Sequence, residues 1–138
     1  MNKFINNLIL AAFAIVVISC TEPTDPTPTN MSYGDWRVDE YYVNGQEEGS
    51  SIIDRFTLER DGTFLLEDNN GILTIGTWTA TETALTLSGQ GEGAASYNFT
   101  IVFQSYEKMH LLQNIQSPTA GTIEIRYLMN KTGDGSTY

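Results

Sequence analysis

The sequence predicts an all-β domain in which eight antiparallel strands form an up-and-down barrel. Short runs of alternating apolar and polar residues recur along the chain, and this alternation is typical of strands with one buried face. Gly, Asn and Asp separate the runs at hairpin spacing, which favours antiparallel neighbours. Closing such a meander removes its exposed edges. An open two-sheet sandwich is the structural alternative.

The strand candidates follow one another with short connections. In chain order the runs cover residues 36–43, 52–60, 63–67, 72–79, 83–88, 97–103, 108–115 and 122–130. Asn44 and Gly45 end the first run, and Asp61 and Gly62 end the second. Such residues adopt the backbone conformations that tight turns require. A polar, Gly-containing stretch at 44–51 is expected to be the loop over one end of the barrel, or an ordinary exposed loop.

The first 19 residues do not fit this domain. Lys3 precedes an unbroken apolar run over residues 8–18. That run is shorter than the roughly 20 residues that span a bilayer, but it is typical of a signal peptide. Residues 17–20 read Val-Ile-Ser-Cys, which resembles the bacterial lipobox. The resemblance implies a lipoprotein signal peptide at 1–19 and a Cys20 that is acylated with fatty chains such as palmitate; the alternative is a cysteine without a role.

A tether is expected between the anchor and the barrel. Residues 21–30 contain three prolines and no apolar residue, and such a stretch is extended, at about 3.1 Å per residue. We therefore assign residues 20–32 to the lipidated cysteine and a Pro/Thr-rich tether, 33–131 to the barrel and 132–138 to a polar tail. Thr21 is not the aspartate that favours inner-membrane retention, so we expect a cell-envelope protein anchored in the outer membrane, on either face.

Charge and cysteine content exclude several classes of partner. The formal net charge is −10, and loss of Lys3 with a signal peptide makes the chain more acidic. So acidic a surface repels phosphate backbones and anionic lipid headgroups, which argues against nucleic acid as a partner. Cys20 is the only cysteine. A disulfide and a cysteine-based metal site are therefore not expected in the domain.

Two Gly-x-Trp motifs stand at matching places in this pattern. Gly34 and Trp36 open the first strand, and Gly76 and Trp78 lie in the fourth. A Phe strand, an Asp-Gly turn and a second aromatic strand come between them, and a Leu-x-Leu strand follows, within residues 56–87. The combination is similar to the bacterial lipocalin-like domain of uncharacterised lipoproteins, over about residues 33–131. The resemblance implies a lipocalin-like (calycin) barrel.

The resemblance also implies how one end of the barrel closes. Gly34 is expected to let the chain enter closely, and the Trp36 indole to plug the end while its N–H bonds to the backbone. In lipocalins an Arg near the last strand packs over this Trp. Arg126 is the nearest candidate, but its place in the alternation directs it outward.

A set of large apolar residues is predicted to face the barrel interior. The eight expected to line a ligand cavity are Trp36, Tyr42, Phe56, Phe64, Trp78, Tyr97, Phe99 and Tyr127. The others that share the inward face are Val38, Leu58, Leu66, Leu85, Leu87, Ile101, Phe103 and Ile125. Eight-stranded barrels are either filled by side chains or hold one small ligand, so both interpretations stand. Glu40 falls on the same face, which indicates either a ligand contact or a bulge.

Chemistry-bearing clusters are scarce. His110 is the only histidine, and no Ser and Asp accompany it in a recognisable way, so a strand-surface role is expected. Acidic and Asn-rich turns lack the spacing of a calcium loop. We therefore predict no enzyme activity, no catalytic residue, no metal and no cofactor. The predicted function is binding of a small hydrophobic ligand; the alternative is a structural or protein-interaction lipoprotein with a filled barrel and an envelope protein as its partner.

Overall fold

A computed structural model of the chain describes residues 27–134. The predicted signal peptide, Cys20, the first part of the predicted tether and residues 135–138 of the tail lie outside the described residues. The described part begins with a one-turn helix, α1 (Pro28–Ser32). Thr27 caps it by accepting a hydrogen bond from the Asn30 N–H at 3.2 Å, and Pro28 suits the first helical position. α1 lies within residues 20–32, which the sequence analysis assigned to the lipidated cysteine and the tether.

Nine strands follow α1. They are β1 (Gly34–Val43), β2 (Gln46–Glu47), β3 (Ile53–Leu58), β4 (Thr63–Asp68), β5 (Leu73–Ala80), β6 (Ala84–Gly89), β7 (Ser96–Gln104), β8 (Lys108–Ser117) and β9 (Gly121–Gly133). Each of the eight predicted runs corresponds to one strand. The additional strand, β2, is a two-residue hairpin partner of the end of β1. Asn44 and Gly45 form its turn with positive φ angles of 51° and 81°.

The strands close into a ring. From β3 to β9 each strand pairs with the next one along the chain, β1 pairs with β3, and β1 also pairs with β9. All of these pairings are antiparallel. The result is a closed eight-stranded up-and-down barrel of β1 and β3–β9, so the predicted fold class, an all-β antiparallel barrel of eight strands, is confirmed. The sandwich alternative is excluded, because a sandwich leaves open edges.

The alternating connections define two ends of the barrel. One end, which we call the mouth, carries the connections at residues 44–52, 69–72, 90–95 and 118–120. The other, which we call the closed end, carries α1 and the turns at 59–62, 81–83 and 105–107. Trp36 lies at the closed end and is fully buried. Its indole N–H donates to the Ser32 carbonyl oxygen at 2.6 Å, which confirms the predicted plug.

Gly34 and Lys131 complete this closure. Gly34 has a φ of +126°, and a Cβ there would lie 2.7 Å from the carbonyl oxygen of Gly133. Glycine is therefore required at this entry point. The Lys131 ammonium lies 5.7 Å from the centre of the Trp36 ring. Lys131 thus occupies the place for which Arg126 was considered, and Arg126 is exposed on the outer surface as its position in the strand predicted.

Three bulges change which residues face inward. They lie between Val38 and Glu40 in β1, between Ile53 and Arg55 in β3, and at Ile101 and Phe103 in β7. An extra residue in one strand reverses the alternation beyond it. The position of Glu40 on the apolar face is therefore explained by a bulge, one of the two predicted interpretations.

Two predicted inward residues face outward as a consequence. Tyr42 and Phe103 lie beyond bulges on the outer surface, whereas Tyr41 takes the buried place in β1. Val38 and Tyr97 are partly buried and pack against the core. The remaining predicted inward residues are buried. The core also includes Ile53, Met109, Leu111 and Met129, which the sequence analysis did not select.

Candidate ligand-binding site

The closed half of the barrel is filled by side chains. Four of the predicted cavity residues lie there: Trp36, Phe56, Phe64 and Trp78, with exposures of 0%, 1%, 2% and 5%. The Trp78 N–H donates to the Glu59 carbonyl oxygen at 2.8 Å, so this indole is also fixed. These residues form the hydrophobic core, and a ligand would have to displace them to reach this depth.

A row of aromatic rings leads from the middle of the barrel toward the mouth. The Tyr41 and Tyr127 ring centroids are 5.4 Å apart, and Tyr127 meets Phe99 edge-on at 5.7 Å. Phe99 stacks on Tyr97 at 6.1 Å. These distances are typical of favourable aromatic pairs. Three of the predicted cavity residues, Tyr97, Phe99 and Tyr127, are therefore brought together, and Tyr41 joins them in place of Tyr42.

The phenol groups of this aromatic row are partly removed from water. Burial raises the pKa of Tyr127 above its ordinary range, with smaller contributions from Tyr41 and Tyr97. The Tyr127 hydroxyl donates to Gln113 Oε1 at 3.3 Å. Burial also raises the pKa values of Tyr41 and Tyr97, to which the charges of Glu48 and Asp68 add. The row thus presents apolar faces together with neutral hydroxyl groups, which suits orientation of a small ligand.

A crevice opens beside the aromatic row at the mouth. Pairing of β1 with β3 covers only Gly34–Arg37, so the rest of β1 separates from β3. The gap is a cavity of about 210 Å³. Its lining is mostly polar: the loop after β2, Asn69 and the carboxylates of Asp39, Glu48 and Asp54 surround the apolar groups of Tyr41 and Ile53.

Tyr42 belongs to a different cavity on the outer surface. This groove has a volume of about 350 Å³ and is lined by residues of β1, β7, β8 and β9, including Val102, His110, Arg126 and Leu128. The Tyr42 hydroxyl donates to Glu40 Oε2 at 2.6 Å. Tyr42 is therefore not part of the barrel interior, and its selection as an interior ligand residue was wrong because the β1 bulge, which Glu40 indicated only as one of two alternatives, reverses the alternation before Tyr42.

His110 lies on the outer surface of β8. Its ring is 5.1 Å from that of Phe103, at a tilt of 48°. Within residues 27–134, no three His, Cys, Asp or Glu side chains are placed to hold a metal ion. The same part of the chain has no helix long and apolar enough to cross a membrane.

Two residues of the site were missed by the sequence analysis. Tyr41 was not selected, because alternation from Trp36 placed Tyr42 on the inner face, although the polar Glu40 one position earlier indicated an irregular strand. Gln113 follows two apolar residues in β8, and its inward direction depends on counting from Leu111 along an uninterrupted strand. That count was available in the sequence, but an amide among apolar neighbours gave no signal of its own.

Comparisons with known proteins identify similar folds only. No protein-family model and no curated protein match the chain. An uncharacterized protein from Bacteroides eggerthii is similar, with a TM-score of 0.49 and 15% identity over 72% of this chain and 98% of that one. Bovine odorant binding protein, solved in complex with a selenium-containing odorant, has a TM-score of 0.45 and 16% identity over 80% of this chain and 76% of its own.

Replacing Tyr127 by Phe tests the burial of the aromatic row. The folded state keeps a phenol proton that the unfolded chain releases above about pH 10, so the free energy of unfolding should fall as the pH rises past that value. Tyr127→Phe should reduce this fall by up to about 1.4 kcal/mol per pH unit, measured by urea unfolding. Phe103→Leu, which replaces an exposed ring that carries no hydroxyl group, should leave the slope unchanged. Equal slopes in the native protein and Tyr127→Phe would contradict the burial.

Proposed function

We propose that this protein is an exported, lipid-anchored member of the bacterial lipocalin-like lipoproteins, whose barrel binds a small apolar ligand at its mouth. The observation that carries the binding proposal is the aromatic row, which runs from the buried Tyr127 to the half-buried Tyr97. Sites for small molecules combine apolar and aromatic walls with a few polar groups. The phenol hydroxyls and the Gln113 amide supply those polar groups here.

The ligand is expected to be small and to bind near the surface of the mouth. Side chains fill the closed half of the barrel. By analogy with truncation of a core Phe or Trp side chain, displacing a packed indole or phenyl ring costs on the order of 3–5 kcal/mol. The crevice beside Tyr41 is open to solvent and has a volume of about 210 Å³. A ligand that lies across the aromatic row and enters the crevice avoids that cost.

A second function has its own supporting observation. The outer face of β4 and β5 exposes Leu65, Leu73 and Ile75, and β-ladder pairing places Leu65 directly beside Ile75. Contiguous exposed apolar side chains are typical of surfaces that contact another protein. A filled barrel that contacts an envelope protein through this face is therefore the alternative.

The lipid anchor is the part of the proposal that depends on sequence alone. Cys20 follows a lipobox-like Val-Ile-Ser, and two or three acyl chains are enough for lasting attachment to a bilayer. Thr21, rather than Asp, follows this cysteine. We therefore place the protein in the cell envelope, held by acyl chains at the outer membrane.

Replacing Cys20 tests the anchor. In a bacterial host that processes lipoproteins, the native chain should partition with membranes, and its N-terminal peptide should carry the mass of the attached acyl chains. Cys20→Ala should lose both properties, because no thiol remains for acylation. Ser19→Ala, which keeps a small residue before the cysteine, is the matched control and should remain acylated. An unacylated native N-terminus would refute the anchor.

Replacing Tyr97 by Ala tests the binding site. The neutral probe N-phenyl-1-naphthylamine should fluoresce on binding to the purified protein, and Tyr97→Ala should weaken its affinity by about tenfold or more, equivalent to 1.4 kcal/mol. Tyr42→Ala is the matched control, because it removes a tyrosine of the same barrel from the outer surface. Its affinity for the probe should be close to that of the native protein. Circular dichroism checks that both variants fold.

Two results would contradict ligand binding at the mouth. One is a native protein that folds but binds none of a panel of neutral apolar probes, which would favour the filled-barrel alternative. The other is an equal loss of affinity in Tyr97→Ala and Tyr42→Ala, which would show that the probe does not distinguish the interior from the outer surface.

A further inference from the structure

The two ends of the barrel differ in where their cations lie. The connections at the mouth contain Glu47, Glu48 and Glu92 and no Lys, Arg or His. Arg60, Lys108 and Lys131 all lie at the closed end. There the Arg60 guanidinium and the Lys131 ammonium lie 4.2 Å and 4.8 Å from the centre of the Tyr33 ring. The mouth therefore presents carboxylates with no cation among them, whereas the carboxylates of the closed-end connections, Glu59, Asp61, Glu82 and Glu107, share that end with three cations.

The remaining described cations do not offset this difference inside the barrel. Arg37 pairs with Asp54 at 3.7 Å, and Arg126 pairs with Glu124 at 2.8 Å. Arg55 also pairs with a carboxylate of the neighbouring strand, Glu67. These three arginines are exposed on the outer surface. Every Lys and Arg side chain between residues 27 and 134 thus lies either at the closed end or in an ion pair on the outer surface.

Carboxylates lie close to the aromatic row itself. Glu48 lines the crevice together with Tyr41, and its charge contributes to the raised pKa of that tyrosine. Asp68 is the last residue of β4 and shares the inward side with Phe64 and Leu66, and its charge acts in the same way on Tyr97. Both ends of the aromatic row are therefore near a negative charge.

We propose that the mouth selects apolar molecules that carry an ammonium group and rejects those that carry a carboxylate. This inference rests on the proposed function, because the aromatic row and the crevice are the site and the carboxylates determine only which ligand it takes. An ammonium group is attracted by the faces of tyrosine rings and by Glu48 and Asp68. A ligand carboxylate would lose hydration beside these groups without gaining a cationic partner.

Three straight-chain ten-carbon compounds with different headgroups test the selection. Decylammonium, decanol and decanoate compete with N-phenyl-1-naphthylamine at about pH 7, where the amine and the acid are both ionised. Decylammonium should bind at least about tenfold more tightly than decanoate, with decanol between them. Raising the salt concentration should weaken decylammonium and leave decanol unchanged, since only the charged headgroup is screened.

Removing the two charges should abolish the preference. Glu48→Gln combined with Asp68→Asn should bring the affinity ratio of decylammonium to decanoate close to one; the asparagine keeps an oxygen for the hydrogen bonds that Asp68 accepts from the Asn70 and Ile72 N–H groups. Glu82→Gln removes an exposed carboxylate at the closed end and should leave the ratio unchanged.

The outcomes separate this inference from the function on which it rests. If decanol binds, and decanoate binds as tightly as decylammonium or more tightly, the proposed selection is overturned but ligand binding at the mouth stands. A preference for decylammonium that Glu82→Gln reduces as much as the double variant does would also overturn it, because net charge alone would then be responsible. Failure of all three compounds to bind would contradict both.

Discussion

The closure of the ring by β1 and β9 is the constraint on which the rest of the structure depends. β1 pairs with β3 on one side and with β9 on the other, so it is the strand at which the meander meets its own end. Trp36 stands in this strand opposite Phe56 and Lys131. Its indole bonds to the carbonyl of Ser32 in α1. Strand pairing, side-chain packing and a helical turn therefore converge on one residue and seal one end of the barrel.

Sealing one end leaves the other free to differ. Large side chains fill the closed half, where the buried Ser32 hydroxyl accepts a hydrogen bond from the Gln104 amide, and further polar groups lie beside the aromatic row toward the mouth. The chain lacks a disulfide in its described part, so stability comes from apolar burial in the closed half, at about 25 cal/mol per Å² of apolar surface. The mouth contributes less to that core. Solvent there satisfies hydroxyl, amide and carboxylate groups that full burial would leave without hydrogen-bond partners.

The strands and turns were predictable because they depend on local chemistry. Alternation, the Asn44-Gly45 turn and the Gly34-x-Trp36 motif each act within a few residues. The bulges were not predictable in the same way, because an extra residue is defined only by the ladder of the neighbouring strand. Tyr42 and Phe103 were misplaced for this reason, and Glu40 was the one residue whose polarity indicated the irregularity. The aromatic row was anticipated in part. Tyr97 and Phe99 lie before the bulge in β7, and the ladder around Tyr127 in β9 is regular, so simple alternation predicts their inward direction.

An NMR titration of the isotope-labelled protein with decanol tests most directly that the barrel is sealed at one end and binds at the other. If the barrel binds at its mouth, changes in amide chemical shift should concentrate on the connections at residues 44–52 and 90–95 and around Tyr97. The shifts of Ser32 and Trp36 should change little. Shifts confined to the outer face of β4 and β5, or centred on the Trp36 indole N–H, would contradict it.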